Sequence, residues 1–164
     1  MASDTLLGTR VRRADLVALA VVVLLVVAAA GFGSLAAQDS RSTYDNLDTP
    51  PFAPPGWLFG PMWSLLYLLI ALSAWLTWLA VRRVDVALGT WLVQLVLNAA
   101  WTPLFFGGDK YWIAFVELCA LVVAIVATIV LFVRRRRLAG VLLLPYLGWV
   151  GYAGALNLAI ALAN

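Results

Sequence analysis

Five long apolar runs, separated by short polar punctuation, organise the chain. From about Ala14 to Ala36 nearly every position is Val, Ala or Leu. Comparable runs cover about Trp57 to Val81, Val86 to Phe106, Tyr111 to Val133 and Gly140 to Leu162. Each meets the ~20 residues that a helix needs to cross a bilayer core. The breaks carry turn and anchor residues: Arg82-Arg83 with Asp85, then Gly107-Gly108-Asp109-Lys110, then Arg134 to Arg137. The first run follows Arg10, Arg12 and Arg13, as a signal peptide's would. It is longer than the ~7–15 residues of a signal core, and four similar runs follow, so it reads as a first span. Its Ala29-x3-Gly33 and Ala30-x3-Ser34 pairs suit close helix packing. The pattern predicts an all-α integral membrane protein, a bundle of five transmembrane helices, with 1–164 as a single membrane domain.

The one long connection covers residues 37–56. Pro50, Pro51, Pro54 and Pro55 crowd its end and leave too few backbone N–H groups for helix or sheet. This segment should be stiff and extended. It runs directly into the second helix, where Pro61 falls near the first turn and Trp63 and Tyr67 share a face. A rigid lid fused to an aromatic helix predicts a covered pocket.

Composition sharpens the class. The chain is 65% hydrophobic and 12% charged, with mean hydropathy +0.99. A soluble domain is nearer ~45–50% apolar and ~25% charged. With no histidine, His-based catalysis, His metal ligation and His haem ligation are excluded. Cys119 is the only cysteine, so no intrachain disulfide forms; its small side chain reads as packing. The net charge of +3 is no nucleic-acid signal, because the basic residues sit at helix ends. Arg10, Arg12, Arg13, Arg82, Arg83 and Arg134 to Arg137 fall on one side, and Arg41 and Lys110 on the other. The N-terminus is therefore expected in the cytoplasm, and the proline segment and C-terminus outside. The Arg134–Arg137 run reads as a helix anchor.

That orientation fixes depth. Gln94, Asn98 and Trp101 share one face of helix three, from its middle outward. Glu117 lies roughly 9 Å down helix four at 1.5 Å per residue. Tyr146, Trp149, Ala153 and Asn157 share a face of helix five. Buried polar groups and aromatics thus converge in one half of the bundle, under the prolines. Gln94, Asn98 and Asn157 fit either a pocket or plain interhelical hydrogen bonding. Glu117 fits a functional buried acid, pairing with Arg41 or Lys110, or a protonated acid bonded to a neighbouring helix. Trp57, Trp78, Trp91, Tyr111 and Trp112 read as an interface belt.

The chain resembles the TspO/peripheral benzodiazepine receptor family, the tryptophan-rich sensory proteins. The resemblance rests on Tyr44-x2-Leu47-x2-Pro50, on Pro54-Pro55-x-Trp57-x-Phe59-x-Pro61-x-Trp63-x3-Tyr67, and on Gln94-x2-Leu97-Asn98-x2-Trp101-x3-Phe105-Phe106. It continues through Glu117 and Pro145-Tyr146-x2-Trp149-x3-Ala153-x2-Leu156-Asn157. It implies a five-helix bundle in a bacterial cell membrane, often a homodimer. Implied ligands are porphyrin, haem, and sterol-like or isoquinoline and benzodiazepine compounds, with no cofactor required. Trp63, Tyr67, Gln94, Asn98, Trp149 and Ala153 would line the pocket, and Tyr44 and the prolines would cover it. Some family members degrade protoporphyrin in light, which makes Trp63 and Trp149 candidates for such chemistry. Thr49 and Phe52 depart from the family's usual basic residue and Trp. No basic residue follows Arg137, so the sterol motif of the animal members is missing from helix five. The leading expectation is a tetrapyrrole receptor or carrier. The alternatives are a light-dependent porphyrin-degrading enzyme and a membrane scaffold or regulatory partner.

Overall fold

The computed structural model describes residues 5–6, 9–10, 12–36, 49–107 and 110–163. A two-residue antiparallel pairing joins β1 (Thr5–Leu6) to β2 (Thr9–Arg10). Everything else that is regular is helical: α1 (Arg13–Ala36), α2 (Phe59–Val81), α3 (Val86–Phe106), α4 (Tyr111–Arg135), α5 (Arg137–Val141) and α6 (Leu144–Ala163). A single 3-10 turn, Gly56–Leu58, leads into α2. Five helical segments are long and apolar enough to span a membrane, the fifth being α5 and α6 together. Exposed Leu, Val and Phe side chains cover their outer faces, as lipid contact requires.

The expected fifth helix is broken, and the chain's own chemistry explains why. Pro145 has no N–H for the Val141 carbonyl, so that rung of the helical ladder is missing, and two residues earlier the Leu143 N–H makes an i to i−3 bond to Gly140 at 3.1 Å. Gly140 is required there for a second reason. A Cβ on it would lie 2.9 Å from the Ile129 carbonyl of α4, so only glycine lets α5 approach so closely.

Packing defines the order around the bundle. α1 lies between α2 and α3, α4 lies between α3 and α6, and α5 closes the ring against α2 and α4. α1 buries one stripe, Val22, Val26, Ala29 and Gly33. Of the two small-residue pairs, Ala29 and Gly33 therefore pack inward, whereas Ser34 is exposed.

Two polar clamps tie the arginine-rich end. Asp15, fully buried at the start of α1, takes the Arg82 guanidinium at 3.1 Å and the Trp78 indole N–H at 3.2 Å. Its backbone carbonyl accepts from Trp75. Arg82 caps α2 in the left-handed conformation (φ 48°), which is costly for a residue with a Cβ. Asp85 caps α3 by accepting from the Ala87 and Leu88 N–H groups and pairs with Arg135 of α4 at 3.0 Å. Burial pushes the Asp85 carboxyl up, but the Arg135 hydrogen bond and charge and the two backbone N–H groups outweigh it and hold the group below its ordinary range.

These contacts correct part of the interface-belt reading. Trp91 is 3% exposed and donates to the Ile70 carbonyl at 3.2 Å; Trp78 belongs to the Asp15 clamp, and Tyr111 is buried. Trp57 and Trp112 are exposed. Cys119 is also exposed, so it does not pack in the core.

Candidate functional site: a cavity under the proline segment

The proline segment folds down onto the bundle. Ala53 N–H bonds to the Pro50 carbonyl at 2.9 Å, making a turn that puts Pro54 in a buried position while Pro51 and Pro55 stay exposed. The Tyr152 hydroxyl of α6 donates to the Phe52 carbonyl at 2.7 Å, and the two rings meet edge to face. Ala53 packs on a small apolar cluster of Phe105, Tyr111, Ala114, Leu156 and Ile160. The segment is thus latched to α6 by a polar bond and seated by apolar contact.

Below it lies a cavity walled by four helices. Phe59 and Trp63 come from α2, Asn98 and Trp101 from α3, Leu118 and Leu121 from α4, and Trp149, Val150 and Ala153 from α6. Aromatic contacts hold the walls. Trp63 lies 5.4 Å from Tyr67 and 6.3 Å from Tyr146, and Phe59 meets Trp149 at 5.8 Å, centroid to centroid. Such pairs contribute about 0.5–1.5 kcal/mol each beyond the area they bury. The free volume is about 20 Å³, room for roughly one water. Anything larger than about a water enters only after wall side chains move.

The polar groups divide into two sets. One set is satisfied. Tyr67 donates to Asn98 Oδ1 at 2.9 Å; Trp101 donates to Asn157 Oδ1 at 3.3 Å, and Asn157 Nδ2 donates to the Tyr111 carbonyl at 2.9 Å. Asn157 therefore clips α3, α4 and α6 together and does not line the cavity. The other set is buried without a hydrogen-bond partner among the described residues: both amide atoms of Gln94, both oxygens of Glu117, the Tyr146 hydroxyl and the Trp149 indole N–H. Gln94 is 1% exposed and Tyr146 0%. Each such group costs about 1–3 kcal/mol if nothing answers it. The Tyr146 hydroxyl lies near the Asn98 amide but makes no hydrogen bond of good geometry with it.

Of the residues predicted to bind ligand, Trp63, Asn98, Trp101, Trp149 and Ala153 line the cavity. Tyr67 and Tyr146 stand behind Trp63, and Gln94 lies one turn along α3 from Asn98. Glu117 is half-buried beside the walls and makes no pair with Lys110. Tyr44 and Arg41 lie outside the described residues. Phe59, Leu118, Leu121 and Val150 complete the walls and were not predicted. Phe59 had a legible signal, standing four residues before Trp63 on the same helix face. The three aliphatic residues had none.

A bundle of five membrane-spanning helices, four of them walling an aromatic cavity beneath a proline segment, defines a class of integral membrane protein. Residues 20–163 match the TspO/MBR family. The chain is 41% identical to the tryptophan-rich protein TspO of Archaeoglobus fulgidus over 144 residues, covering 86% of this chain and 94% of that one. It is 40% identical to the protein CrtK of Rhodobacter capsulatus over 120 residues (71% and 75%), and 36% identical to the Homo sapiens translocator protein over 118 residues (70% and 70%). The chain belongs to the TspO/MBR family.

Proposed function

We propose that this protein is a membrane receptor or carrier for a flat, largely apolar tetrapyrrole such as protoporphyrin or haem, held in the cavity beneath the proline segment. The observation that carries this reading is the wall itself: the indoles of Trp63, Trp101 and Trp149 and the ring of Phe59 surround the single amide of Asn98. Aromatic faces suit a planar ring, and a few polar groups fix its orientation. Among the unpartnered buried atoms, the Trp149 indole N–H belongs to a cavity-lining residue and would be available to a polar edge of a ligand, with Gln94 and Tyr146 adding hydrogen-bonding capacity behind the wall. Membership of a family that includes a translocator protein agrees with carriage or reception of a small molecule.

Titration of the purified protein with protoporphyrin IX, haem and an isoquinoline ligand, followed by tryptophan fluorescence, tests the proposal. Saturable one-to-one binding of a tetrapyrrole is expected. Linear, non-saturating uptake equal to that of protein-free micelles would contradict it. Illumination of the bound complex separates the receptor from a light-driven enzyme: a receptor leaves the Soret band intact beyond the loss seen for free porphyrin.

A further inference from the structure

Two routes into the cavity are conceivable, from above or from the side. From above, the described residues narrow the route. Pro54 is buried, Tyr152 holds the Phe52 carbonyl, and the Phe59–Trp149 contact closes the space beneath. At the side, the wall is thin. Leu118 and Val150 line the cavity, and both also line a second depression of about 310 Å³ on the outer surface between α4 and α6. That volume falls in the ~300–1,000 Å³ range of small-molecule sites.

The groove is shallow-walled because α6 presents small residues to it. Gly151, Gly154 and Ala155 leave the helix backbone as one wall, opposite Cys119 on α4. A Cβ on Gly151 would meet nothing within 4 Å, and one on Gly154 would only touch Leu118 Cδ2 at 3.9 Å. Leu118 therefore has free space beside it. Leu118 and Val150 are thus the side chains that separate groove from cavity.

We infer that the groove between α4 and α6 is the entry site by which a planar apolar ligand dissolved in the bilayer reaches the cavity, with Leu118 and Val150 as its gate. The occupant is the cavity's own ligand, because groove and cavity share these two walls, so the inference rests on the reading of the cavity as a ligand site. The groove lies along the half of α4 that begins at Tyr111, so entry is from the leaflet next to the proline segment.

The test fills the groove without touching the cavity. Cys119→Phe adds bulk at an exposed position, Gly151→Leu at an exposed, uncrowded one, and Gly31→Leu adds a leucine on the exposed face of α1. Each protein is reconstituted in phosphatidylcholine vesicles and mixed with protoporphyrin IX, and quenching of tryptophan fluorescence gives association and dissociation rates. A gate in the path slows both rates together. The expected result is a fall of about tenfold or more in both rates for either groove variant, with Kd moved less than about threefold and Gly31→Leu unchanged. Unchanged rates in the groove variants, equal slowing by Gly31→Leu, or a changed Kd at constant association rate would each overturn the entry site. Absence of binding by the unsubstituted protein would overturn the receptor reading first, and the entry site with it.

Discussion

Trp63 and Trp149 face the same cavity from α2 and α6, yet their surroundings differ. Trp63 stands against Tyr67 and Tyr146; Trp149 stands against Phe59 and Tyr152, and its indole N–H has no hydrogen-bond partner among the described residues. Phenylalanine at either position keeps an aromatic face and gives up the indole. Either single Trp→Phe change should therefore weaken protoporphyrin binding by less than about tenfold, or about 1.4 kcal/mol, as read by titration. Ligand quenching of tryptophan fluorescence should shrink in each. Unaltered affinity and unaltered quenching in the double variant would place the ligand elsewhere. These two residues were legible in the sequence because large aromatics stand out within an apolar span. Leu118, Leu121 and Val150 did not stand out, since an aliphatic residue among aliphatic residues carries no sign of which way it faces. Cys119 misled for a related reason: a small, soft side chain suits a core, but a lipid-facing groove suits it as well.

At the scale of the elements, the proline segment and the inter-helix clamps invite separate tests. The segment is stiff by composition and held by the Tyr152 hydroxyl. Replacing Pro50, Pro51, Pro54 and Pro55 with Gly should loosen the roof of the cavity by enlarging its conformational freedom. Tyr152→Phe removes only the latch. Both should quicken porphyrin dissociation, the Gly variant more than Tyr152→Phe; unchanged dissociation in the Gly variant would exclude the segment from ligand retention. At the other end, the Asp85 carboxyl is held below its ordinary range by Arg135 and two backbone N–H groups. A group whose folded value is lowered stabilises the fold above its unfolded value, ~3.9, and loses that contribution as pH falls through the folded value. The melting temperature of the native protein should therefore fall below about pH 4 by more than that of Asp85→Ala. Parallel curves would remove the cap and ion pair from the stability of the α3–α4 hairpin. The helices were legible because each is a long apolar run closed by charge or glycine. The Asp15 clamp was not: an acid beside Arg12 and Arg13 reads as a solvated end, and its partner Arg82 comes from the far end of the next span. The break before α6 was readable in principle from Pro145, but a proline near a helix start is also ordinary.

At the scale of the whole molecule, the described helices form a membrane-spanning bundle around one small cavity. Its cavity has about 20 Å³ of free space, far below the ~300 Å³ of a small-molecule site. A tetrapyrrole bound there would therefore need an opened form. On the proposed reading, with no histidine to ligate iron, aromatic contact and polar edges would carry recognition of a tetrapyrrole. Haem and metal-free protoporphyrin should bind with similar affinity; a haem preference above about a hundredfold, or about 2.7 kcal/mol, would reveal a protein–iron bond. The location of the ligand is tested most directly at Ala153, the smallest residue of the cavity wall. Ala153→Leu fills the space at a packing cost of about 1–3 kcal/mol, which a melting curve monitors independently. In a titration with protoporphyrin IX, the unsubstituted protein should show saturable quenching and the folded Ala153→Leu variant should lose affinity by more than about tenfold. Equal affinity in the two folded proteins would contradict a tetrapyrrole site beneath the proline segment.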